Sequence, residues 1–148
     1  MASWVLWKIF NSSGLALRRS YNKEGKPLVT SGSTFADVAD GQWYAPAIIW
    51  AAAYGIVGGY GNGLFGPDDN ITREQLAVML WRWAGSPAAT DKELHFTDAD
   101  EASGYALDAL RWAAENGVLN GYSDGRLNPG GTATRAQAAQ MLRNYLEK

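Results

Sequence analysis

The chain has 148 residues, a formal net charge of −2, 47% hydrophobic and 19% charged residues. That balance excludes a disordered tail, lacks the basic excess of a nucleic-acid binder, and contains no apolar run near the ~20 residues that span a bilayer. Cysteine is absent and His95 is the one histidine. Disulfides and thiolate metal sites are therefore out of reach, a zinc site or a histidine-based triad lacks partners, and no cofactor is expected. Seven tryptophans and seventeen glycines point to tight turns and half-exposed aromatic faces, a composition common on carbohydrate-binding surfaces without being diagnostic of them.

Residues 1–34 stand apart from the rest. Phe10-Asn-Ser-Ser-Gly14-Leu-Ala-Leu17 and Tyr21-Asn-Lys-Glu-Gly25-Lys-Pro-Leu28 match at a period of 11, an aromatic followed by Asn-x-x-Gly and a leucine. The pattern predicts strands joined by tight turns, over Trp4–Phe10, Leu15–Tyr21 and Pro27–Thr30. A competing alignment lays Val5–Ser12 over Met79–Ser86 and reads the segment as the tail of another helical repeat. The opening lacks a basic region, a long apolar stretch and a small-residue cleavage pattern, so it does not read as a secretory signal. The chain reads instead as a piece of a longer secreted protein.

From residue 35 onward an internal repeat organises the chain. Setting Trp43 opposite Tyr105 gives a constant offset of 62 through Trp83 and Tyr145, with 15 identities in 41 positions. Phe35-Ala-Asp37 pairs with Phe96-Thr-Asp98 at an offset of 61, so the second copy carries one extra residue in its Asp100–Gly104 loop. The copies span 35–85 and 96–147, joined by a linker at 86–95; residues 1–34 are a β-rich segment or the remnant of a preceding domain.

Each copy reads as helix, turn-rich loop, helix. Pro46 suits the first turn of the first helix, Ile48, Ala51 and Ala52 give an apolar stripe, and Gly55 is a left-handed stop. Gly117 repeats that stop. The pairs Asn62-Gly63 and Asp124-Gly125 reverse the chain. Thr72-x-x-Gln75 and Thr134-x-x-Gln137 are capping boxes, followed by the stripes Leu76, Met79, Leu80, Trp83 and Ala138, Met141, Leu142, Tyr145. Helices are thus predicted near 45–54, 72–84, 106–116 and 134–146.

Phe35-Ala-Asp-Val38, Trp43, Gly55-Ile56, Gly59-Tyr60-x-x-Gly63-x-Phe65-x-Pro67 and Ile71-Thr-Arg-Glu-Gln75 together resemble an S-layer homology repeat. The second copy is similar through Phe96-Thr-Asp98, Gly117-Val118, Gly121-Tyr122-x-Asp124-Gly125, Pro129 and Thr134-Arg-Ala-Gln137. The resemblance implies a mainly α fold of tandem helix–loop–helix repeats. It also implies a non-covalent anchor in the extracellular cell wall or S-layer of a bacterium. Family members usually carry three repeats in a pseudo-threefold prism, of which two copies supply a part. The grooves of that prism bind a secondary cell-wall polysaccharide, often bearing a ketal-linked pyruvate. Glutamine stands at 75 and 137, where the family usually has glutamate.

Candidate ligand residues follow. Arg73 and Arg135 fall at the first helical position, where a cation is disfavoured by a few tenths of a kcal/mol unless an anion offsets it. Two readings stay open for each: a carboxylate site for the sugar, or an internal salt bridge to Asp37 or Asp98. Thr72 and Thr134 read first as caps. Trp43 and Tyr105 suit stacking on the C–H face of a sugar or a place in the core. Tyr60, Asn62, Tyr122 and Asp124 lie on the glycine-rich turns and could line a groove. Asp68, Asp69, Asp98, Asp100 and Glu101 lack the spacing of a calcium loop and read as mostly solvated turn acids. No catalytic constellation stands out, so an enzyme is not expected. The alternative function is a protein–protein assembly module of a bacterial surface structure, with a homo-oligomer as one outcome.

Overall fold

The computed structural model describes residues 24–25 and 32–147. The β-meander expected before residue 34, and its helical alternative, lie outside the described residues apart from a turn at Glu24-Gly25. Among the described residues the fold is mainly α: α1 (Ala45–Ala53), α2 (Arg73–Trp83), α3 (Leu107–Glu115) and α4 (Arg135–Leu146). No strand occurs among them; Thr72 and Thr132 form an isolated antiparallel bridge. The four helices fall where the stops and capping boxes place them, with α1 and α3 starting and ending 62 residues apart.

Local chemistry explains the ends of α1 and α3 and the starts of α2 and α4. α1 ends in a Schellman motif, with Gly55 at φ +70 and the Ile56 amide donating to the Ala51 carbonyl at 2.8 Å. Gly117 and Val118 repeat it on α3, the Val118 amide donating to Ala113 at 2.8 Å. Only glycine takes that backbone without strain. Both capping boxes are complete. The Thr72 hydroxyl accepts from the Gln75 amide and the Gln75 side chain accepts from the Thr72 amide; Thr134 and Gln137 do the same. The extra residue of the second copy is absorbed by two 3-10 turns, Ala99–Glu101 and Gly104–Ala106.

The chain divides into two compact units between Asn70 and Ile71. The first holds α1 and the loop that follows it. There Phe35 packs on Phe65 with ring centroids 5.3 Å apart, and Asp37 accepts from the amides of Phe65 and Gly66 at 2.9 and 2.7 Å. The second holds α2, α3 and α4, with α2 packed against both others. Leu76 and Leu80 of α2, Leu110 and Trp112 of α3, Met141 and Leu142 of α4, and the loop residues Val118, Leu119 and Leu127 are buried. Burying each large aliphatic side chain contributes roughly 1.5–3 kcal/mol. Trp83 of α2 packs on Tyr145 of α4 with the rings tilted and their centroids 4.9 Å apart, and Tyr145 meets Trp112 of α3 at 6.2 Å. Trp81, off that stripe, is half-buried and donates its indole N–H to the Pro87 carbonyl at 2.8 Å.

The glycine-rich loops are built alike in both copies. Ala36 and Thr97 donate to the carbonyls of Gly63 and Gly125, and Tyr60 and Tyr122 to those of Leu64 and Arg126. Gly59 and Gly121 let the loop touch the first aromatic of each copy, because a Cβ at either would lie within 3 Å of Phe35 or Phe96 and of a carbonyl. Asp98 is not the solvated turn acid that its surroundings in the sequence suggest. It is buried and accepts from the amides of Leu127 and Asn128, both at 2.7 Å, as Asp37 does in its own copy.

Candidate functional site

The second unit carries the better defined constellation, centred on the first turns of α2 and α4. The segment leading into α2 lies along the end of the second copy's loop. Ala133 donates to the Ile71 carbonyl, while the Arg73 and Glu74 amides donate to Gly131 and Pro129, all at 2.9 Å. Those two amides are among the donors that a helix leaves unpaired at its start, and loop carbonyls satisfy them here.

Arg73 follows its backbone into the same loop. Its Nε donates to the Leu127 carbonyl at 2.9 Å and its Nη2 to the Asn120 carbonyl at 3.0 Å. The guanidinium carbon lies 4.9 Å from the centre of the Tyr122 ring, and the residue is 4% exposed. Burial lowers the guanidinium's pKa, and Tyr122 and Asp98 pull it back up. Within the second unit Arg73 takes carbonyls where Asp98 was one salt-bridge partner that the sequence offered. Asp98 receives two amides and Arg73 reaches two carbonyls, so the Leu127 backbone is gripped from both sides.

Tyr122 is 40% exposed, and its hydroxyl accepts from Gln137 Nε2 at 2.8 Å. The same Gln137 closes the capping box with Thr134. Tyr122, Thr134 and Gln137 therefore meet at the first turn of α4, whose first residue is Arg135. Asp124 caps its turn by accepting from the Arg126 amide at 3.1 Å and pairs with the Arg126 side chain at 2.8 Å; those two bonds hold its carboxyl below the ordinary range.

Glu74 is a buried carboxylate that no sequence motif marks as a functional residue. Its oxygens accept from the Ser103 amide at 3.0 Å and the Ser103 hydroxyl at 2.7 Å, with the Tyr105 hydroxyl at 3.4 Å. Tyr105 itself is 56% exposed. Burial of its hydroxyl, then the charge and hydrogen bond of Glu74, raise its pKa. The signal available in the sequence was the contrast between Glu74 and its counterpart Ala136.

In the first unit Trp43 is 46% exposed and meets Tyr44 edge to face at 5.3 Å. Tyr60 is exposed and donates to Asp69 Oδ2 at 2.7 Å, a bond that raises its pKa, with burial adding to it. Asn62 accepts from the Leu64 amide at 3.1 Å and shapes the turn. In the second unit Thr72 is half-buried and forms the bridge to Thr132. No group of three His, Asp or Glu able to hold a metal occurs among the described residues. No helix among them is long and apolar enough to cross a membrane.

This is a helical repeat module with exposed tyrosines on braced, glycine-rich loops. Residues 34–77 and 95–139 match the S-layer homology domain, and the chain belongs to that family, whose domains are cell-surface anchoring modules. Relatives include an exoglucanase, XynX, of Acetivibrio thermocellus, 37% identical over 77% of this chain and 11% of its own length. A cellulosome-anchoring protein of the same organism is 34% identical over 61% of this chain and 21% of its own. An S-layer protein of Bacillus licheniformis is 27% identical over 78% and 13%. The chain thus spans about a fifth or less of each, and the relatives with enzyme names owe them to domains outside the aligned stretch.

Proposed function

We propose that the chain is a non-covalent anchor that binds a secondary cell-wall polysaccharide through an anionic, pyruvylated sugar, outside the cell in a bacterial wall or S-layer. In the family's three-repeat prism it supplies two members. One observation carries the reading: Gln137 links the exposed Tyr122 ring to the capping box of α4, next to Arg135. The ring offers a stacking face for a sugar, and the first turn of α4 offers amide donors, a helix dipole and an arginine for a carboxylate. Arg73, buried against carbonyls, braces this surface from behind; Arg135 meets the anion. Within the second unit Tyr105 adds aromatic contact, while Asp124, Thr72 and Thr134 hold turns and helix starts; in the first unit Trp43 and Tyr60 are further candidate sugar contacts, on a loop whose turn Asn62 holds.

Assembly with another protein is the second reading, favoured by one observation. The first turn of α2 is satisfied by protein, the carbonyls of Gly131 and Pro129, and the first turn of α4 could accept another repeat in the same way. Binding to sacculi that retain their polysaccharide separates the two. On the glycan reading Arg135→Ala weakens co-sedimentation at least tenfold, whereas Arg73→Lys mainly lowers the melting temperature. Unchanged sedimentation of a folded Arg135→Ala variant favours assembly.

A further inference from the structure

Two departures from the internal repeat fall on one spot. Glu74 stands where the second copy has Ala136, and the loop ahead of α3 is one residue longer than the loop ahead of α1. Ser103, in that longer loop, is the residue that Glu74 grips, by its amide at 3.0 Å and its hydroxyl at 2.7 Å. The next three residues form the 3-10 turn Gly104–Ala106, which carries Tyr105 into the start of α3. Glu74 is 6% exposed, against 56% for Tyr105. A buried carboxylate without donors would be costly to keep, whereas one receiving charge-assisted bonds fixes its partners firmly.

We propose that Glu74 is a positioning residue: by holding Ser103 it sets where the Tyr105 ring stands, and so aligns that ring as a sugar-stacking platform. This rests on the reading of Tyr105 as part of the glycan surface. Glu74 contributes no contact to the sugar. It acts through the Ser103 backbone and, at 3.4 Å, on the Tyr105 hydroxyl. A glutamine at 74 keeps the size but offers one acceptor oxygen to two Ser103 donors and turns an N–H₂ toward the other.

The test measures affinity for polysaccharide-bearing sacculi and the titration of Tyr105, followed by NMR of ring-labelled tyrosine, in the intact chain. Glu74→Gln is expected to weaken binding about fivefold, an ordinary coupling for contacting residues, and to let the Tyr105 phenol ionise at lower pH than in the parent. Ser103→Ala, which removes one donor, should show a smaller loss and carries the test should Glu74→Gln fail to fold. Tyr105→Ala separates the two layers. Parental binding by Tyr105→Ala would remove the platform and the proposal with it. Lost binding in Tyr105→Ala, with parental binding in the folded Glu74→Gln or Ser103→Ala variant, would keep the platform and overturn the positioning role.

Discussion

At the scale of single residues, the contacts that matter most in the second unit are non-local. Arg73 reaches Asn120 and Leu127, and Glu74 reaches Ser103. The sequence marks Arg73 as anomalous for a helix start but names no loop opposite it, because a guanidinium can donate to backbone carbonyls as well as to a carboxylate. The two glycine-rich loops also share a space for one side chain. Gly66 lies against Asp69, and at the corresponding positions Asn128 lies against Gly131. Each copy keeps one of the pair as glycine, and Asn128 takes the left-handed backbone, φ +53, that Gly66 takes at +73. Arg73→Lys should destabilise the second unit by roughly 1.5–3 kcal/mol, since lysine keeps the charge but cannot hold two carbonyls with one planar fork. Chemical denaturation of the variant checks this, and parental stability would remove the bracing role.

At the scale of elements, the helices were legible because their signals are local. The stop glycines Gly55 and Gly117 and the boxes Thr72-x-x-Gln75 and Thr134-x-x-Gln137 act within one turn, and the ends of α1 and α3 and the starts of α2 and α4 fall beside them. What joins a loop to the start of its copy was not legible in the same way. The Phe-x-Asp pairs announce a repeat, but only the fold brings Asp37 to Phe65 and Gly66, and Asp98 to Leu127 and Asn128. Thr72→Ala should cost about 1 kcal/mol through the lost cap, read as a lower melting temperature. The aspartates give the fold an acid limit. Desolvation raises each carboxyl, the two amide bonds more than offset it, and the folded pKa lies below the ordinary aspartate value. A lowered folded pKa stabilises the protein above about pH 4, where the unfolded carboxyl is ionised, and that stability is lost as pH falls further. Denaturation midpoints from pH 6 down to 2.5 should therefore drop below pH 4, and the drop should shrink in Asp98→Asn.

At the scale of the whole molecule, packing and sequence repeat are out of phase. By sequence α2 belongs to the first copy; by packing it belongs with α3 and α4. The linker at 86–95 therefore lies inside a compact unit, braced by Trp81 on Pro87 and by Thr90 on Glu115. Proteolytic nicking at its exposed residues 90–93 should leave two fragments that elute together, and separate elution would contradict this packing. The anchoring role belongs to the family as a whole; recognition of a pyruvylated polysaccharide is what is proposed for this chain. Co-sedimentation with bacterial sacculi before and after removal of ketal-linked pyruvate tests it most directly. Saturable binding should fall at least tenfold once pyruvate is removed, and equal binding to both preparations would rule out recognition through the pyruvylated sugar.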